Sequence, residues 1–132
     1  MELEVSSERR TDVIDITDEV EELVSPEIAE GVCTVFVKHT TASIIVNEAE
    51  SGLLEDMTTA LNQLIDDEHR YRHDQIDDNA AAHLRSMLLG SSVSVPIRDG
   101  SLDLGTWQRL LFVDCDGPRR RDVEIRVSES GG

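Results

Sequence analysis

Lysine is nearly absent from this 132-residue chain: Lys38 is the only one, and the other 11 basic residues are arginine. Aromatic residues are scarce at 3%, namely Phe36, Tyr71, Trp107 and Phe112, so a core must be built mostly from Val, Ile, Leu and Ala. No apolar run approaches the roughly 20 residues that span a bilayer, which removes a transmembrane helix. Met1-Glu2-Leu3-Glu4 is acidic and lacks the apolar stretch of a secretory signal, so the expected location is cytoplasmic, with no membrane partner. Cys33 and Cys115 are too few and too far apart for a CxxC zinc or redox motif. Each lies in a β-branched apolar run and reads as a buried thiol acting as a small hydrophobe; a cytosolic disulfide is not expected. P-loop, GxGxxG and GxSxG patterns are missing, which leaves nucleotide-fold and serine-hydrolase readings without support. There is no repeat and no Pro/Gly-rich linker, and Pro26, Pro96 and Pro118 fall at apparent element ends. A single domain, residues 1–132, follows.

Acid is what the chain has in excess: 28 Asp and Glu against 12 basic residues, a formal charge of −16. Such a surface repels phosphate backbones, so nucleic acid is not an expected partner. The acids are spread between apolar positions and form no tail. With lysine almost gone, this reads better as adaptation to a salty cytosol, where screening removes self-repulsion, than as an acidic docking surface. Arginines retained in such a chain then draw interest.

Alternation marks strands at Leu3/Val5, 13–16, 31–37, 43–46, 92–97, 106–115 and 123–127. Thr17 is placed to cap a short helix carrying Val20, Leu23 and Val24. Asn47 and Glu50 are spaced like a capping box before a longer helix with Leu53, Leu54, Met57, Ala60, Leu61, Leu64 and Ile65 in one stripe. Asp77 or Asp78 would cap another, with Ala80, Ala81, Leu84, Met87 and Leu88 on its apolar face and Gly90 closing it. A turn is expected at Asp99-Gly100. The order is roughly ββαββαβββ, an α+β fold with a mostly antiparallel sheet and two main helices.

Histidine carries the chemical interest. His39 ends a strand, His73 lies in the polar connection between helices, and His83 borders the apolar stripe. Each has an ordinary explanation: a turn residue, an exposed loop residue, a half-buried polar group. Yet all three sit at element boundaries, where side chains can converge at one end of a sheet. Three imidazoles and a carboxylate, Glu48 or Asp116, would suit a divalent ion such as Zn²⁺ or Mg²⁺. Asp116-Gly117-Pro118-Arg119-Arg120-Arg121 reads either as a turn whose arginines pair with neighbouring acids or as an anion site. In the second reading Gly117 allows close backbone approach and Arg119 offers a fork for phosphate. Alternation sends Arg119 and Arg121 to one side and Arg120 to the other. Trp107 is expected in the core, with the Gln108 amide on the opposite face for ligand recognition.

Taken in order, several segments resemble the signature of the YjbQ family. They are Val35-Phe36-Val37-Lys38-His39-Thr40-Thr41-Ala42-Ser43-Ile44 with Asn47-Glu48, then Tyr71-Arg72-His73, Asn79-Ala80-Ala81-Ala82-His83-Leu84, Gly105-Thr106-Trp107-Gln108 and Asp116-Gly117-Pro118-Arg119. The resemblance implies a small α+β fold with a curved, largely antiparallel sheet, assembled as a homotrimer. It also implies a transferase of the secondary thiamine-phosphate-synthase kind, in which a thiazole nitrogen displaces pyrophosphate from a pyrimidine-methyl diphosphate. The implied catalytic residues are His39, His83, Asp116 and Glu48. Thr40, Asn79, Gln108, Gly117 and Arg119 would hold a small phosphorylated metabolite, and His39, His73 and His83 a metal. A non-catalytic phosphate-binding trimer and a metal-dependent phosphohydrolase remain open beside it.

Overall fold

In the computed structural model, which describes residues 1–130, strand β1 (Glu2–Ser6) opens the chain and β2 (Asp12–Asp15) follows it. Helix α1 (Thr17–Leu23) leads to β3 (Glu30–Val37), whose Cys33, Val35 and Val37 point inward while Val32 and Phe36 face out. β4 (Ala42–Asn47) follows after a break at 38–41. Two longer helices come next, α2 (Ser51–Leu64) and α3 (Ala80–Leu89), separated by a connection containing a single 3₁₀ turn, Arg72–Gln75. The chain ends in β5 (Ser92–Arg98), β6 (Ser101–Leu102), β7 (Arg109–Asp114) and β8 (Arg120–Glu129).

Every pairing is antiparallel, in two ladders: β1-β8-β3-β5-β6 and β2-β7-β4. The strands curl, and the break after β3 carries the chain from one ladder to the other. Val35, Ile97 and Ile125 of the first face Ile44, Leu110 and Phe112 of the second, with Ile16 and Val20 closing the end of this main core. The reverse face of β7 presents Val113 and Cys115 to Ala82, Leu61 and Leu89. The two longer helices therefore lie together, outside the three-stranded ladder. β7 is buried on both faces, which is why it reads as an unbroken apolar run.

The α+β class, the antiparallel curvature and the placement of the helices agree with expectation. The short helix and the two longer ones fall where the sequence places them, and the short β6 is added. β6 exists because Asp99 and Gly100 both take positive φ, 51° and 79°, the geometry of a two-residue hairpin.

Three caps also differ. Thr17 does not cap α1. Its hydroxyl bonds Asp15 Oδ1 (2.6 Å) and accepts from Leu110 N (2.8 Å), tying the helix start to β7. Glu50, not Asn47, caps α2, accepting from the Gly52 and Leu53 amides; Asn47 still belongs to β4. Neither Asp77 nor Asp78 caps α3: Asn79 holds the position before the helix and makes no side-chain cap bond. Asp74 accepts from Ala80 N in its place (3.1 Å), and the bonds from the Tyr71 and Ala80 amides hold the Asp74 carboxyl below its ordinary range. The packing face of α3 is also rotated from the expected stripe. Ala81, Ala82 and Arg85 are buried, while Met87 and Leu88 are exposed.

Candidate anion-binding cleft

β3 and β7 end, and β4, β8 and α3 begin, at the same end of the molecule. The register Ala42↔Asp114 and Asn47↔Arg109 fixes this polarity. There a cleft of about 490 Å³ is lined by Lys38, His39, Thr40, Thr41, His73, Ile76, Asp77, Asn79, His83, Asp116, Arg119 and Arg121. Three of the chain's four histidines and its only lysine thus meet in one concavity.

The cleft is held by a polar chain. His73 Nε2 lies 3.0 Å from Asn79 Oδ1, and Asn79 Nδ2 donates to Asp116 Oδ2 (3.0 Å). Asp116 Oδ2 also accepts from Arg119 Nη2 (2.9 Å), and Arg119 Nε donates to the Asp116 carbonyl (2.9 Å). Because the Asn79 amide nitrogen is committed to Asp116, its oxygen faces His73 as acceptor and the imidazole is the donor. The His73 and His83 rings meet edge to face at 4.7 Å between centroids. On the other wall, His39 Nε2 accepts from Asp122 N (3.3 Å).

Beneath lies a buried ion pair. Arg121 donates from Nε and Nη2 to Asp114 (3.1 and 2.9 Å) and from Nη2 to Thr41 Oγ1 (2.8 Å). Ser7 Oγ donates to Asp114 Oδ2 (2.7 Å), and Asp116 N donates to Asp114 Oδ1 (2.9 Å). Burial by itself would raise the Asp114 carboxyl. The bonds from Arg121, Ser7 and the Asp116 amide, with the Arg121 charge, outweigh it and hold the group below 3.8. Ser7 Oγ in turn accepts from Arg119 N (2.9 Å). As expected, Arg119 and Arg121 share a side, while Arg120 is exposed beside Glu4.

Two expected residues lie elsewhere. Glu48 follows β4 at its far end and lines a separate groove with Asp15, Trp107 and Arg109. An extended strand rises about 3.3 Å per residue, so Glu48 sits roughly 20 Å along the chain direction from the cleft. Gln108 precedes β7 at that same far end and accepts from Gly105 N (2.8 Å). Residues 106–108 form a turn rather than strand, which leaves Trp107 72% exposed and out of the core. Gly117 lines no ligand space. A Cβ there would lie 2.5 Å from Ser7 Oγ and also strike the Arg9 carbonyl, so its close approach is to the chain's own 7–10 segment.

Among the described residues no group of three or more His, Cys, Asp or Glu is assembled to hold an ion. His39 and His73 each engage Nε2 with a protein partner, which leaves Nδ1 of each ring for a ligand. Neither thiol is a nucleophile at neutral pH: burial pushes Cys33 and Cys115 up to about 11, and both are free and buried as expected.

Reading the sequence for sites passes over Asp114, Arg121 and Lys38. A signal for the first existed. An Asp inside a run buried on both faces, Leu110 to Cys115, requires a partner.

A curled antiparallel α+β domain with a polar, histidine-lined cleft at one strand end defines the class of protein. A family model described as UPF0047 protein YjbQ-like matches residues 1–130, and the chain belongs to that family. A UPF0047 protein of Archaeoglobus fulgidus is 47% identical over 127 residues, covering 96% of this chain and 99% of that protein. Bacillus subtilis YugU is 37% identical, covering 95% and 96%. Among solved structures, a hypothetical protein of Aeropyrum pernix superposes with a TM-score of 0.94 at 41% identity, covering 98% of each chain. A protein of unknown function from Sulfolobus solfataricus gives 0.92 at 40%, covering 96% and 94%. No helix is long and apolar enough to cross a membrane among the described residues.

Proposed function

We propose that the cleft binds the phosphate or diphosphate of a small cytoplasmic metabolite and supports a transfer of the thiamine-phosphate-synthase type. The observation that carries this reading is the meeting of Lys38, His39, His73, His83 and Arg119 in one cleft of a chain with formal charge −16. In such a transfer a ring nitrogen of the acceptor supplies the electron pair for a new C–N bond. The C–O bond to the diphosphate breaks, and pyrophosphate leaves with the electrons of that C–O bond. The demand on the protein is stabilisation of departing negative charge, for which preorganised donors are worth a few kcal/mol each. No protein nucleophile is required, which suits a cleft without a reactive thiol. Lys38 and Arg119 take the phosphate oxygens, with the imidazoles as further donors. Asp116 holds Arg119 in place. A homotrimer is the expected assembly.

The test is complementation of a thiamine-requiring strain that lacks its main synthase, with His83→Ala as comparison. Growth with the unaltered chain and none with a folded His83→Ala protein supports the transfer. Equal growth with both removes His83 from the mechanism. A non-catalytic phosphate-binding protein is the second reading. The existing Asn79–Asp116–Arg119 bonds favour it, since they describe a ready-made receptor and no general base. Binding of pyrophosphate without turnover decides for it.

A further inference from the structure

The cleft continues into a second space. A groove of about 520 Å³ shares Lys38, His39, Thr40 and His83 with it and runs on between β3 and α3, past Phe36, Ala42 and Met87 to Gly90. Its two walls follow from local geometry. On α3, His83, Met87 and Gly90 fall at i, i+4 and i+7, one above another on a single face. On the other side Phe36 and Lys38 are two residues apart along the extended chain and so share a face. Charge and polarity therefore change along the groove. The shared end carries an ammonium and imidazoles, and the far end carries a phenyl ring and a thioether. Phe36 is 41% exposed and Met87 69%, large apolar side chains left open to solvent beside the site.

We infer that this groove is the subsite for the organic half of the substrate, and that the half it takes is a flat, weakly polar ring attached to the phosphate. The inference rests on the anion-binding reading of the adjoining cleft. Its length fits: seven residues of helix at 1.5 Å rise give about 10 Å, room for one ring and a short linker but not for a nucleotide or a long acyl chain. Its chemistry fits as well. A phenyl face stacks on another ring in offset or edge-on geometry, and a methionine side chain adapts to ring edges. The His83 imidazole stands at the junction, where ring and phosphate would join. Selectivity then comes from the groove and affinity for the anion from the cleft.

Calorimetry with inorganic phosphate and phenyl phosphate separates the two claims. The unaltered protein should bind phenyl phosphate about tenfold more tightly than inorganic phosphate, a gain of the size expected for burying part of one ring. The double variant Phe36→Thr, Met87→Thr should lose most of that preference and keep its affinity for inorganic phosphate. Both side chains are exposed, so folding should survive the changes. Equal affinity for the two probes in the unaltered protein overturns the subsite while leaving the anion site standing. Failure of inorganic phosphate to bind overturns the anion site, and the subsite with it. A change of oligomeric state in the double variant, measured by sedimentation, assigns the groove to contact with a second copy and overturns the inference.

Discussion

Asp114 and Arg121 form an ion pair shut away from solvent directly beneath the cleft, with side-chain exposures of 0% and 4%. Ser7, Thr41 and the Asp116 amide complete its hydrogen bonding, so the pair joins β1's outgoing loop, the start of β4, β7 and β8 at one point. Removing one partner strands the other charge. Asp114→Asn should therefore cost about 3–5 kcal/mol, read from denaturant unfolding. A loss under 1 kcal/mol would mean that the pair is not the anchor of this end.

The same pair sets an acid limit. The Asp114 carboxyl is lower folded than unfolded, so its contribution is complete above the unfolded value near 3.8 and is lost as pH falls through the folded value. Asp15 adds to the same limb, since bonds from Thr17 and Arg109 overcome the opposing effect of burial. Unfolding midpoints measured between pH 6 and pH 2 at fixed salt should fall on the acid side, and less steeply in Asp114→Asn. Identical acid limbs for the two proteins would contradict the assignment.

Arg85 is the other buried cation, wholly within the fold. It donates to the Leu61 carbonyl (3.2 Å) and the Ile65 carbonyl at the end of α2, and to Asp67 (3.1 Å). Helix ends leave carbonyls without partners; the guanidinium serves that of Ile65, adds a second bond to that of Leu61, which already accepts from Ile65 N, and tethers the connection that carries His73. Arg85→Ala should lose about 3 kcal/mol and speed amide exchange across 66–79. Lysine should restore only part, because it lacks the planar fork. Full rescue by lysine would show that charge alone suffices.

How much of this could be read beforehand depended on whether a feature is local. Strands 31–37, 43–46 and 123–127 announce themselves by β-branched alternation, and Asp99-Gly100 by turn chemistry. The three histidines and Arg119 were legible as a group because each stands where a strand or helix stops. Glu48 misled because it is near His39 in sequence, yet an extended strand carries it to the opposite end. Trp107 misled because a tryptophan is ordinarily core, whereas the turn closed by the Gly105–Gln108 bond makes the strand start only at Arg109. Arg85 and Asp114 were not legible as sites because burial of a charge is decided by partners elsewhere in the sequence: Asp67 and α2 for one, Ser7 and Arg121 for the other.

Asn79 tests whether the site takes precedence over helix capping. Its side chain serves His73 and Asp116, while Asp74 takes the Ala80 amide. Asn79→Ala should cost nothing through capping and about 1–3 kcal/mol through the buried bonds it leaves unmade, and weaken phosphate binding severalfold as Asp116 and Arg119 lose alignment. Asn79→Asp should not restore binding, since it cannot donate to Asp116. Unchanged phosphate affinity in Asn79→Ala would remove it as a positioning residue.

A formal charge of −16 predicts a salt requirement. Self-repulsion is screened over about 3 Å at 1 M salt and over about 10 Å at 0.1 M. The thermal midpoint should rise from 0.1 M to 2 M KCl. A flat or falling profile would leave the acidity without this explanation.

The most direct test of the account is calorimetric titration of pyrophosphate into the unaltered protein and into Lys38→Gln and Arg119→Gln, at one salt concentration where all three are folded. The account predicts saturable binding that weakens at least fivefold in each variant and weakens further with added KCl. Absence of binding, or equal affinity in all three proteins, would contradict it.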